Sequence, residues 1–273
     1  MSRWAALKSQ LILVAILLVC TVLPSMFWHD VWFGRSLDDQ ELAEYLTDEA
    51  SPRRVQHALA QLGERMDRSE EFPDAWYQRV LELTQHEQVE IRTLSAWIMG
   101  KGTDQSVFRQ KLLQMLDDPQ PLVRRNAALS LVRFGDSSGR SELQAMLSSF
   151  VVESPLEGKL SFLVEKKDWA NSGSDIARIT TEVGVEDVVA PVSGQVESRL
   201  VSDDSQVKGG AKLLVLLPDP EHVWESLRAL YLVGTAEDLP LVESLRQRTE
   251  YGETLKRQIE STREAILGRE KPR

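Results

Sequence analysis

The chain has 273 residues and a net charge of −10, with 27% charged and 42% apolar side chains. This balance fits one large or two ordinary folded domains and excludes a disordered chain. The acidic excess, with no Lys/Arg run longer than two, argues against a nucleic-acid partner, because such binding needs clustered cations facing phosphate.

The first expected element is apolar. "LILVAILLVCTVLPSMFW", residues 11–28, holds no charge, and at about 1.5 Å per residue it would cross most of a ~30 Å hydrocarbon layer. Trp4 precedes it, while Trp28, Trp32 and Phe33 stand at its far end as interfacial aromatics would. Arg3 and Lys8 lie before it; Asp30, Asp38, Asp39 and Glu41 outnumber Arg35 behind it. The expectation is a single-pass inner-membrane protein with residues 1–10 cytoplasmic and the bulk periplasmic. "VLPSMFW" is a poor cleavage site, and Val19 before Cys20 is too bulky for a lipoprotein signal, so an uncleaved anchor is preferred. Cys20 is the sole cysteine, so no intrachain disulfide can form.

Residues 29–50 read as an acidic connector with a short helical turn. A repeat then begins, expected over 51–148. "VEIRTLSAWIMGKGTD" and "PLVRRNAALSLVRFGD" align without a gap at a spacing of 32 residues, and each precedes a second amphipathic segment, "SVFRQKLLQML" or "GRSELQAML". Apolar residues recur at helical spacing and Gly or Asp marks the turn, so stacked helix pairs are expected. "RRVQHALAQLGERM" with "DAWYQRVLELTQ" is a looser earlier copy, and "HVWESLRALYLVGTAEDLPLVESLRQ" a later one, expected over 221–268 with a tail at 269–273. The V-R-R-x-A-A-x-x-L pattern and the Asp-containing turn resemble the HEAT-repeat family, which implies a binding scaffold.

The repeat's rhythm breaks once. Met99 and Leu131 are 32 apart, but the equivalent Leu230 follows only after 99 more, a surplus of 67 residues. Within 150–218, "VVESPLEGKLSFLVEKKDWANSGSDIARI" and "VVAPVSGQVESRLVSDDSQVKGGAKLLVL" share one plan. Pro155-x-x-Gly158 matches Pro191-x-x-Gly194, an alternating strand follows each, and "ANSG" matches "VKGG" with one residue of slippage. The doubled pattern resembles the biotinyl/lipoyl barrel-sandwich domain, also used by membrane-fusion adaptors. That resemblance places the modified lysine eight residues before Pro191, where this chain has Val183, and the connector "TTEVGVED" has no lysine. Lys208 lies in the other turn. No cofactor is therefore expected.

Chemical motifs are weak. "GDSSG" around Ser137 matches a nucleophile elbow, but an amphipathic helix precedes it where a strand is needed. "HEQVE" has Glu90 where a zincin needs its second histidine, and His29, His57 and His222 are scattered. The acidic clusters "SLDDQE", "DRSEE" and "SDDS" lack a calcium loop's spacing. Arg92 and Arg124 hold equivalent positions and could form a ladder that binds an acidic partner or pairs with Glu90 and its neighbours; the structural role is preferred. No catalytic, cofactor or metal residue is assigned, and no small-molecule substrate is inferred.

The expected fold class is α+β multidomain: an N-terminal transmembrane helix, a HEAT-like α-solenoid and an inserted all-β lipoyl-like barrel-sandwich domain. The expected function is a non-catalytic, membrane-anchored scaffold or adaptor that binds envelope proteins, as part of a transport or secretion assembly. The alternative is an accessory subunit whose degenerate carrier domain docks to a biotin- or lipoate-dependent enzyme.

Overall fold

A computed structural model describes residues 35–68, 73–248 and 251–270. The chain divides into two compact units, residues 1–68 and 69–273. In the first, Asp38 opens helix α1 (Asp39–Thr47) through a capping box with Glu41. The connector is therefore more ordered than its acidic composition suggests. Helix α1 packs on α2 (Pro52–Asp67) and buries Leu42 and Leu46, four residues apart, while α2 buries Val55, Ala58, Leu59 and Leu62. Arg65 ties the pair together, donating to Asp39 Oδ1 at 2.6 Å and to the Leu37 carbonyl.

The second unit begins with α3 (Asp74–Leu83), α4 (Val89–Met99), α5 (Ser106–Met115), α6 (Pro121–Arg133) and α7 (Arg140–Met146). The aligned segments supply α4 and α6, which pack against each other. Small residues let them approach: a Cβ on Gly100 would lie 2.4 Å from Ser130 Oγ, and that hydroxyl donates to the Ala96 carbonyl at 2.8 Å.

The chain then changes period. Strands β1 (Phe150–Glu153), β2 (Gly158–Phe162), β3 (Trp169–Ala170), β4 (Asp175–Thr180), β5 (Val185–Val189), β6 (Gly194–Arg199), β7 (Gln206–Val207) and β8 (Lys212–Pro218) follow. They form two antiparallel sheets ordered β1-β8-β6-β3 and β5-β4-β2-β7. Advancing each strand of the first sheet by four places, cyclically, gives the second in the same order, so the halves exchange strands about a pseudo-two-fold. The turns obey it: Gly173 (φ +81°) donates to the Ala190 carbonyl, and Gly210 (φ +77°) to the Ser154 carbonyl, both at 2.8 Å. Both positions need the left-handed backbone that glycine adopts without penalty. Leu160, Phe162, Ile176, Ile179, Val196 and Leu216 lie in the core between the sheets.

Helix α8 (Pro220–Val233) returns to the helical layer, followed by a 3₁₀ turn (Ala236–Asp238), α9 (Leu239–Leu245) and α10 (Glu253–Glu270). One apolar core joins Ala128, Leu143 and Met146 from before the sheets to Val223, Leu227 and Ile266 after them. Polar contacts repeat the splice. Ser226 Oγ donates to the Leu143 carbonyl at 2.6 Å and Gln144 Nε2 to Asp238 Oδ1 at 2.5 Å.

Among the described residues no helix is long and apolar enough to cross a membrane. The longest, α10, has 18 residues, but charged side chains are spread along its length. The transmembrane helix expected over 11–28 lies outside the described residues. The fold class is accordingly corrected to helices with two antiparallel sheets, and the single-pass inner-membrane location is withdrawn.

Candidate functional site: a groove along helix α8

The residues singled out as chemical leads do not converge. Ser137 lies in the turn between α6 and α7, whose neighbour Asp136 is occupied structurally. Asp136 accepts from the Ser138 amide at 2.8 Å and pairs with Arg109 at 2.5 Å. Burial opposes its ionisation, yet the Ser138 bonds and Arg109 together hold its carboxyl below the ordinary value. His86 accepts from the Gln88 amide at 3.0 Å, closing the turn before α4, and His57 stacks edge-on with Tyr45. Among the described residues no group of three or more His, Cys, Asp or Glu could hold a metal ion. Two acidic clusters are spent on the fold: Asp38 caps α1, and Asp203 accepts from the Phe162 amide at 2.8 Å. "DRSEE" reaches beyond the described residues.

Arg92 and Arg124 form no free cationic surface. Arg92 grips Asp118 with two nitrogens, at 2.8 and 3.1 Å, and donates to the carbonyls of His86 and Glu87 at 2.9 and 3.0 Å. Arg124 repeats the posture one repeat later. It reaches Glu142 at 2.6 Å and the carbonyls of Asp118 and Pro119 at 2.8 and 3.2 Å. Each guanidinium folds back on the loop before its own helix and pins it to the next acidic side chain. The partner is Asp118 rather than Glu90.

The surface that does converge lies on α8. Its inner positions Val223, Leu227 and Leu230 are buried, as one amphipathic stripe requires, but its outer side also carries Trp224, Tyr231 and Leu232. Leu232 is 61% exposed and Tyr231 45%. On one flank Pro220, Trp224, Tyr251 and Leu255 line a cleft of about 440 Å³. On the other, Trp97, Leu129, Val132, Arg133, Ala229 and Leu232 line one of about 240 Å³. Glu225 borders both.

Cations rest on the aromatic walls: Lys101 Nζ lies 4.2 Å from the Trp97 ring centre, and the Arg228 guanidinium 4.6 Å from that of Trp224. Apolar walls push the Glu225 carboxyl up even though one edge meets solvent; His222 and Arg228 oppose that shift, and Glu221 and Asp219 add to it. The groove thus offers aromatic anchors and mixed charge. Sequence reading passed over it because "HVWESLRALYLV" scores simply as a helix. The available signal was surplus: eight apolar residues in twelve, more than one buried stripe uses.

The described fold is a set of helices interrupted by two antiparallel sheets. Comparison with known families places a HEAT repeat at residues 108–138, from α5 through α6 into the following turn. No curated protein matches the chain. Among solved structures, one described as "Structure and function of a single-chain, multi-domain long-chain acyl-coa carboxylase" is 15% identical. That match covers 46% of this chain and 15% of the carboxylase, with a TM-score of 0.25. The chain therefore spans a small part of that protein's length, and so distant a likeness carries no argument about fold or activity.

Proposed function

We propose that the protein is a non-catalytic recognition scaffold that binds a protein partner along α8. The observation that carries this is the exposed pair Tyr231 and Leu232, with half-buried Trp224, on a helix whose inner positions are already buried. A folded monomer gains nothing from exposing Tyr231 and Leu232 beside two clefts, whereas an interface core is built from such anchors. The HEAT repeat at 108–138 supports the same reading, since stacked helix pairs present extended surfaces.

Within this proposal the β module is of the biotinyl/lipoyl type. Its support is the exchange of strands between two halves and the matched Pro-x-x-Gly turns. Val183 occupies the β4–β5 tip, 98% exposed, and offers no amine for a cofactor. On this reading the module contributes shape rather than a swinging arm.

A photo-reactive residue at Arg228 is expected to cross-link a protein partner in cells, and Leu232→Asp in the same chain to reduce the adduct at least about fivefold. Leu232 is solvent-facing, so the change leaves the helical signal intact. An adduct unmoved by Leu232→Asp, or equally strong from a control probe in the Lys208 turn, would remove the reading.

A further inference from the structure

The β module has a second surface whose chemistry is independent of the groove. Strand β5 forms one edge of its sheet and pairs only with β4. Thr181 donates to the Gly184 carbonyl at 2.8 Å, and Ala190 to the Ser174 carbonyl at 2.9 Å. Backbone groups alternate in direction along an antiparallel strand. Gly184, Glu186, Val188 and Ala190 therefore face β4, and Val185, Asp187 and Val189 present their N–H and C=O groups outward. The same three residues share the outer face of the sheet, because side chains alternate with period two.

Natural sheets blunt such an edge with charge, lysine above all, or with proline, bulges or brevity. Strands β3 and β7 have two residues each; β5 has five, with neither lysine nor proline among them. It instead displays Val185, 59% exposed, and Val189, with Val183 at the tip. We infer that β5 is an acceptor for an extended, basic peptide segment that adds as a further strand.

Charge selects that occupant. Arg178 is spent on Asp187 at 2.9 Å, whereas Glu182 and Glu186 have no ion-pair partner among the described residues. A second copy fits poorly: antiparallel self-pairing centred on Asp187 sets that carboxylate against itself, and like charges directly opposite destabilise a sheet. The complementary strand places β-branched residues against Val185 and Val189, and Lys or Arg near Glu186 and Asp187. Backbone bonds supply affinity in strand addition, and the alternate side chains supply selectivity.

The test uses the full chain and a capped Thr/Val/Lys peptide of about nine residues, a typical strand with flanks. At saturation, amide exchange at Val185, Asp187 and Val189 is expected to slow about tenfold or more, while Glu186 and Val188, already bonded to β4, stay unchanged. Asp187→Pro removes one outward N–H without touching the β4 ladder and is expected to weaken binding about tenfold. Asp187→Asn, which keeps that N–H, is expected to stay within about threefold of wild type. The Glu-for-Lys peptide is expected to leave exchange unaltered. The inference is overturned by unchanged exchange at the three amides or by equal binding of Asp187→Pro and Asp187→Asn. Equal binding of the acidic peptide, or protection that grows with protein concentration alone, would overturn it too. None of these results touches the α8 groove, whose own test reads position 228.

Discussion

Removing the Arg92 side chain tests whether the arginine ladder is structural. In Arg92→Ala the bidentate bond to Asp118 and both bonds to the His86 and Glu87 carbonyls disappear together. The two side chains are only 12% and 10% exposed, so Asp118 would remain a poorly hydrated carboxylate. Breaking one partner of a buried pair costs about 3–5 kcal/mol, much of it the burden of the group left behind. Asp118 also accepts from the Gln120 amide at 2.8 Å, so the loss reaches the start of α6. Arg92→Lys keeps the charge but not the planar fork, and about half the cost is expected to remain. Arg124→Ala breaks a more exposed pair with one bond to its carboxylate and is expected to cost about 2–3 kcal/mol. Urea unfolding followed by far-UV circular dichroism measures all three. A loss below about 1 kcal/mol for Arg92→Ala, or a larger loss for Arg124→Ala, would refute the argument that these arginines act as struts.

Two further outcomes follow from close contacts and burial. Gly194→Ala would put a Cβ 2.2 Å from the Leu217 carbonyl oxygen on β8, a backbone atom that cannot retreat without opening the ladder. It is expected to destabilise the β module by about 2–3 kcal/mol, against near neutrality for Gly209→Ala, whose closest neighbour would be 3.6 Å away; amide exchange across β6 and β8 reads the difference. Arg125 is 5% exposed, with Nε unpartnered, and burial lowers its guanidinium to about 10, opposed by Glu142 and Asp219 and aided by Arg124. A base whose folded value lies below its unfolded one carries its full penalty below that folded value and sheds it as pH rises through it. Arg125→Met is therefore expected to raise stability at neutral pH by about 1–3 kcal/mol, a gain that shrinks above about pH 10 in denaturant titrations.

What the sequence disclosed depended on periodicity. Helices α4 and α6 were legible because Ile91, Ile98 and Met99, and Val123, Ala127 and Leu131, fall on one face of a 3.6-residue repeat. Strand β2 was legible because Gly158–Phe162 alternates strictly between buried and exposed. Helix α1 was obscured by its acidic composition, although Asp38 and Glu41 spell a capping box. Helix α10 was absorbed into the last repeat. Its buried positions Leu255, Ile259, Thr262 and Ile266 keep a helical spacing, but Thr262 breaks the apolar signal and donates to a carbonyl distant in sequence, that of Leu227. The α8 groove and the β5 edge depend on which neighbours are missing from a face, and no local pattern encodes that.

The way the β strands interrupt the helices explains how both can be stable. The strand that leaves α7 and the strand that leads to α8 lie side by side, with Phe150 registered on Leu216 and Val151 on Val215. Entrance and exit are thus one pair width apart, which brings α7 and α8 close enough for Ser226 to bond the Leu143 carbonyl. For a disordered loop, closure would cost free energy that rises with the logarithm of its length. Here closure is enforced by the β1–β8 ladder, whose own folding supplies it. Arg140 reinforces the splice from the helical side, donating to Thr235 Oγ1 at 2.6 Å and pairing with Glu237. Two cores with separate memberships then let each face evolve on its own. The helical layer keeps an apolar groove while the sheets keep an acidic edge, but a substitution that unfolds the sheets is expected to weaken the α7–α8 contacts as well, because the β1–β8 ladder holds their ends together.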